Sequence, residues 1–175
     1  LKKDSGVQGD IKTQKIDRVG VLGGGLMGAG IAFVTVDKAS KKVRIKDQTD
    51  QGVNHALKYC WEIYRNKVKR KHLSINDASQ RIASITGTTS YQGFKRCDLV
   101  IEAVFENLEL KQQMLKDIEE VCQGNAIFAS NTSSIPMVEL SIVYASAAGR
   151  SGATSRSISL RSRATRSSKI SSSLA

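Results

Sequence analysis

Apolar positions follow two different periods along the chain. Residues 19–22 are an unbroken apolar run ending in three glycines, which predicts a buried strand. Residues 26–36 are apolar at nearly every position and rich in small side chains, which predicts a buried helix. A second strand is expected over 43–45, stopped by Asp47. From 50 to 72 apolar residues recur in steps of three and four: Val53, Leu57, Trp61, Tyr64 and Val68 form one stripe of an amphipathic helix whose other faces are basic. Residues 74–77 read as the start of a shorter helix running to about residue 83. Further strands are expected over 85–89, 98–104 and 126–130. Between the last two, Leu110, Met114, Ile118 and Val121 line one side of a helix over 107–123. Strands alternating with helices predict a doubly wound parallel α/β sheet with right-handed crossovers and a helical insertion after the second strand.

Composition narrows the classes. With 175 residues, 40% hydrophobic and 25% charged, the chain matches a single soluble globular domain and excludes a collagen, a disulfide scaffold or wholesale disorder. The net charge of +11 is unevenly spread. Residues 141–175 hold 12 serines, five arginines, one lysine and no acid, a low-complexity tail expected to be disordered or out of frame. The expected organisation is thus a linker over 1–14, a folded domain over 15–140 and a tail over 141–175. Residues 1–140 carry a mild excess of base over acid, and the tail offers only Tyr144 for stacking, which disfavours nucleic acid as partner. Cys60, Cys97 and Cys122 lack metal-ligand spacing and read as buried thiols of a reducing compartment, so a cytoplasmic protein without a metal is expected. Residues 19–36 are uncharged and nearly long enough to span a bilayer, but six are glycines, which argues against a membrane helix. The chain starts at Leu1 with no charged-then-apolar leader and reads as a fragment.

The candidate chemistry begins at the first strand's end. Gly23, Gly25 and Gly28 fit G-x-G-x-x-G between a strand and a helix, the context that gives this weak pattern meaning. Gly23 allows the tight turn, Gly25 lets a diphosphate approach the backbone, and Gly28 lets the helix pack on the strand. Free N–H groups and the helix dipole would hold the phosphates. Asp47 follows about 20 residues later, where an acid bonds the adenosine ribose; its charge repels a 2′-phosphate and favours NAD over NADP. The competing reading is a structural turn with a capping Asp.

Two other strand ends are polar. Glu106 and Asn107 either cap the next helix or line the nicotinamide end, and Lys111 either bonds Glu106 or faces solvent. Asn131, Thr132, Ser133 and Ser134 form either a turn with local side-chain bonds or a site that orients a hydroxyl or carbonyl beside the nicotinamide.

Taken together, GGGLMGAGIA at 23–32, VFEN at 104–107 and ASNTSS at 129–134 resemble the NAD-binding domain of the 3-hydroxyacyl-CoA dehydrogenases. VRIKD at 43–47, HALKY at 55–59 and ENLELKQQM at 106–114 are most similar to alpha subunits of bacterial multifunctional fatty-acid oxidation complexes of the anaerobic type. The resemblance, over about residues 2–140, implies oxidation of (S)-3-hydroxyacyl-CoA to 3-oxoacyl-CoA. It implies NAD contacts from Met27, Asp47, Val104, Phe105, Glu106 and Lys111. Ser133 would meet both the substrate's 3-oxygen and the cofactor. Arg65, Lys67, Lys69 and Arg70 would lie near the CoA entrance, with Lys67 and Arg70 the candidates for its phosphates. It also implies an acyl-CoA substrate, a thiolase partner subunit and a preceding hydratase/isomerase domain.

The same resemblance calls for a general-base His downstream of the serine cluster, a Glu to orient it, and a dimerising helical domain. An imidazole suits the removal of a hydroxyl proton near neutral pH. This sequence has only His55 and His72, and no Asp or Glu after Glu139. The substrate and dimerisation domain is therefore expected to be absent and the chain inactive on its own. A reading-frame shift near residue 141 would account for the tail, and resequencing there tests it.

Overall fold

The computed structural model describes residues 14–132, 135–136 and 139–140. Ser133, Ser134, residues 1–13 of the expected linker and the whole 141–175 segment lie outside the described residues.

Five strands form one parallel sheet: β1 (Arg18–Leu22), β2 (Lys42–Lys46), β3 (Ile85–Thr88), β4 (Leu99–Glu102) and β5 (Ile127–Ser130), in the order β3-β2-β1-β4-β5. The helices are α1 (Leu26–Ala39), α2 (Asp50–Lys69), α3 (Ile75–Ala83) and α4 (Leu108–Cys122). The chain winds outward from β1 to β3, then crosses back to place β4 on the other side of β1. That reversal leaves a crevice beyond the carboxyl ends of β1 and β4, where open α/β sheets bind ligands. The register brings Lys46, Leu22, Glu102 and Ser130 to one level along that edge.

Alternation along the strands builds a core on each face. On one face Val19, Val21, Val43, Ile45 and Ile85 meet Ala29, Ala32 and Val36 of α1 and Ala56, Cys60 and Tyr64 of α2. On the other, Leu22, Val100 and Phe128 meet Met114, Leu115, Ile118 and Cys122 of α4 together with Phe94. Phe94 starts a 3-10 turn (Phe94–Arg96) and fits under β1 because position 20 is glycine: a Cβ there would lie 2.5 Å from the Phe94 ring. The sequence reading assigned neither residue this role.

The α2 stripe is centred differently from expectation. Val53, Ala56, Cys60 and Tyr64 are buried, whereas Trp61 is exposed and carries the Arg65 guanidinium 5.1 Å from its ring centroid. Helix α2 packs on α1 with Cys60 against Ala29, the thiol donating to the Ala29 carbonyl at 3.5 Å. Leu57 and Val68 are partly buried against the same core, and Trp61 is the member of the expected stripe that is exposed. The three cysteines are free and buried, as expected, and burial pushes the Cys60 and Cys97 thiols up to about 11.

The insertion is pinned by charge. Asp37, at the end of α1, is buried and accepts from Lys67 of α2 at 2.8 Å and Arg81 of α3 at 2.7 Å. Burial alone would raise the Asp37 carboxyl; bonds and charge from Lys67 and Arg81 outweigh it and hold the carboxyl below its ordinary value. No helix among the described residues is long and apolar enough to cross a membrane.

Candidate functional site

The bend after β1 is built from glycines with distinct tasks. Gly23 has φ +105°, and its N–H donates to the Lys46 carbonyl at 2.7 Å, joining the ends of β1 and β2. A Cβ on Gly23 would sit 2.6 Å from the Ala103 carbonyl oxygen. One on Gly28 would overlap the Gly23 carbonyl, and one on Gly24 would overlap the Gly52 carbonyl of α2. Gly25 differs, since a Cβ there would meet nothing within 4 Å. It is the N-cap of α1, provides no side-chain cap, and no acid lies in the helix's first turn. By contrast Thr49, Ser74 and Asn107 cap α2, α3 and α4. The start of α1 therefore presents amide donors and the positive end of a helix dipole beside open space, which suits an anion.

Asp47 follows β2 and reaches this bend. Its Oδ2 accepts from the Gly24 N–H at 2.7 Å and its Oδ1 from the Thr49 N–H at 3.2 Å. With the Thr49 hydroxyl donating to Oδ1 at 3.5 Å, these use three of about four acceptor positions a carboxylate offers. The residue expected to cap a turn or hold a sugar thus sits at the glycine bend and locks it to α2. His55 Nδ1 lies 3.4 Å from the Gly24 carbonyl oxygen on the same side.

Across the crevice, Glu102 ends β4 as a fully buried carboxylate. Its Oε1 accepts from the Val104 N–H at 2.7 Å, and its Oε2 accepts from the Ser130 hydroxyl. Lys111, one turn into α4, is also buried, with Nζ 3.0 Å from Glu102 Oε2 and 3.2 Å from Glu106 Oε2. Of the two alternatives expected for Lys111, the bond to Glu106 is the one present. The Glu106 contact exists, but the side chain is enclosed and its shorter contact is to Glu102, which the sequence reading did not single out. A carboxylate inside the apolar run 99–104 was the available signal, because a buried charge requires a partner.

Asn107 is the α4 cap, accepting from the Leu110 N–H at 2.8 Å. Glu106 instead accepts from the Thr132 hydroxyl at 2.9 Å, and Thr132 in turn accepts from the Ile135 N–H at 3.1 Å. A local side-chain bond between Thr132 and Ile135 is therefore present. Met27 and Phe105 are strongly exposed, on the first turn of α1 and on the loop after β4. Of the two residues assigned to CoA phosphates, Lys67 is engaged by Asp37, while Arg70 is exposed at the end of α2. A separate apolar groove of about 430 Å³ between Leu57, Trp61, Ile82 and Ile85 lies on the α2–α3 side and shares no residue with the crevice.

A parallel sheet in this order, with a glycine bend at its switch point and an acid ending β2, defines a dinucleotide-binding α/β domain of the Rossmann type. The chain belongs to the 3-hydroxyacyl-CoA dehydrogenase family: the family model described as "3-hydroxyacyl-CoA dehydrogenase, NAD binding domain" matches residues 18–149. That match runs past residue 141, where the composition changes. Solved structures agree. A 3-hydroxybutyryl-CoA dehydrogenase from Escherichia coli is 28% identical with a TM-score of 0.70, over 74% of this chain and 27% of that one. An (S)-3-hydroxybutyryl-CoA dehydrogenase from Ralstonia eutropha is 36% identical with a TM-score of 0.69, over 74% of this chain and 45% of that one. The dehydrogenase part of multifunctional enzyme 1 from C. elegans is 26% identical with a TM-score of 0.66, over 82% of this chain and 32% of that one. The chain thus spans less than half the length of these relatives.

NAD is the cofactor of this domain, and the residues present fit it. The space in front of Gly25 and the uncapped start of α1 suit a diphosphate. Asp47 provides a carboxylate beside that position.

Proposed function

We propose that this chain is the NAD-binding portion of an enzyme that oxidises (S)-3-hydroxyacyl-CoA to 3-oxoacyl-CoA in fatty-acid β-oxidation. The observation that carries the reading is the pairing of an open, uncapped α1 start at Gly25 with Asp47 at the same bend. Relatives named for 3-hydroxybutyryl-CoA support the substrate class. When bound, NAD would supply the hydride acceptor for the substrate's C3. The α1 amides hold its diphosphate, and Asp47 holds the adenosine ribose and disfavours a 2′-phosphate. Met27, Val104, Phe105, Glu106 and Lys111 line the path toward the nicotinamide. Ser133 orients the 3-oxygen, and Arg70 meets CoA phosphate. In the parent enzyme the partners are an acyl-CoA and a thiolase subunit, and the location is the cytoplasm.

The reaction also needs a base for the hydroxyl proton. The chain's two imidazoles are elsewhere: His55 faces Gly24, and His72 follows the end of α2. Neither is on the 103–107 or 130–132 loops. These residues support a second reading of the chain by itself, as an inactive NAD-binding remnant of that enzyme. Acetoacetyl-CoA and NADH, followed at the NADH absorbance, separate the two. Binding of NADH without its consumption is expected; turnover by the 175-residue chain overturns the remnant reading.

A further inference from the structure

Glu102 is the most enclosed carboxylate at the carboxyl edge of the sheet, and the function proposed above does not use it. Its relative exposure is 0% and both of its carboxylate oxygens are already engaged by groups of the protein. Its oxygens receive groups from three segments that arrive separately. The Val104 N–H comes from the loop after β4, the Ser130 hydroxyl from the end of β5, and the Lys111 ammonium from α4. Its main-chain carbonyl accepts a further bond, from the Asn131 N–H at 2.9 Å. Two of those groups, Val104 and Lys111, belong to proposed cofactor contacts, and Ser130 and Asn131 precede Ser133 in sequence.

The chemistry of the pair points the same way. A buried ion pair is often no more stabilising than an apolar pair of the same volume, so stability alone does not account for it. A single apolar contact fixes no direction, whereas a carboxylate with three donors fixes all three. The Lys111 ammonium lies between Glu102 and Glu106, at ion-pair distances rather than in well-aligned hydrogen bonds. Without Glu102 it keeps, among the described residues, the Glu106 carboxylate on the exposed loop.

We propose that Glu102 is a positioning residue of the cofactor site: it fixes the Lys111 ammonium and joins the 103–107 loop to the 130–132 turn, without touching the cofactor. This rests on the reading of the crevice as an NAD site.

The test is a double-mutant cycle on the full 175-residue chain, with NADH titrated by fluorescence and folding followed by circular dichroism. Glu102→Gln is expected to keep its folded signal and to weaken NADH binding about tenfold. Lys111→Met is expected to weaken binding as well. The double variant is expected to bind no worse than Lys111→Met alone, and to melt higher than it, because the unpaired buried carboxylate is gone. A purely structural Glu102 would give effects that multiply. Multiplying effects, or wild-type binding by Glu102→Gln, overturn the proposal. If Glu102→Gln loses its folded signal, Ser130→Ala takes its place in the cycle. A few-fold loss that vanishes in the Lys111→Met background supports the proposal, and unchanged binding overturns it. Absence of NADH binding by the wild-type chain would instead overturn the NAD reading itself.

Discussion

The Gly24 N–H donates to Asp47 Oδ2 at 2.7 Å, which ties the bend after β1 to the end of β2. The acid that the motif assigns to a sugar is therefore also part of the cradle's frame. Its carboxylate is held in place at the bend by the Gly24 and Thr49 N–H groups, so little ordering remains to be done on binding a sugar hydroxyl.

Asp47→Ala removes both roles. NADH affinity should fall by about 1–2 kcal/mol, the usual loss for hydrogen bonds to a charged group. Isothermal titration of wild type and variant checks this; an unchanged dissociation constant would take Asp47 out of the ribose site.

Two glycines of one motif should respond differently to alanine. At Gly25 a Cβ meets no protein atom, so Gly25→Ala should leave the melting temperature nearly unchanged and reduce NADH binding at least tenfold. At Gly28 a Cβ overlaps the Gly23 carbonyl. Gly28→Ala should destabilise the fold by about 1–3 kcal/mol, as overpacking does. Thermal melts and titration of both variants separate the effects. Equal loss of stability in the two would contradict this division.

Asp37 sets an acid limit on stability. Its carboxyl is held below the ordinary value in the folded chain, so the unfolded chain takes up the proton first as pH falls. The contribution is complete above about pH 4–5 and is lost as pH drops through the lowered folded value. Asp37→Asn should cost about 1–3 kcal/mol at neutral pH, discounted because Lys67 and Arg81 are about a third exposed. The difference between wild type and variant should shrink toward acid. Urea denaturation from pH 7 to 3 checks the sign; a gap that widens toward acid is the opposite of this expectation.

Much of this arrangement was legible in the sequence. The first strand, its glycines and the helix after them were visible because local needs coincide there: an apolar run, a positive φ at Gly23 and close packing at Gly28. The α2 stripe was legible apart from Trp61, but it left out Ala56 and Cys60 because periodicity ranks larger apolar residues above them. Close approach to Ala29 rewards the smaller pair. Gly20 and Phe94 need each other across the fold, and nothing local to either announces it. Glu102 is a charge inside an apolar strand and was passed over, because its partner Lys111 reaches it only through the turn of α4 and the pair belongs to tertiary structure.

The central claim is that the α1 amides at the glycine bend, with Asp47, hold NAD. Calorimetric titration of the folded 175-residue chain with NADH tests it most directly. Saturable one-to-one binding that raises the melting temperature, with much weaker binding of NADPH, is the predicted result. No heat and no melting shift at saturating NADH, on protein shown to be folded, would contradict it.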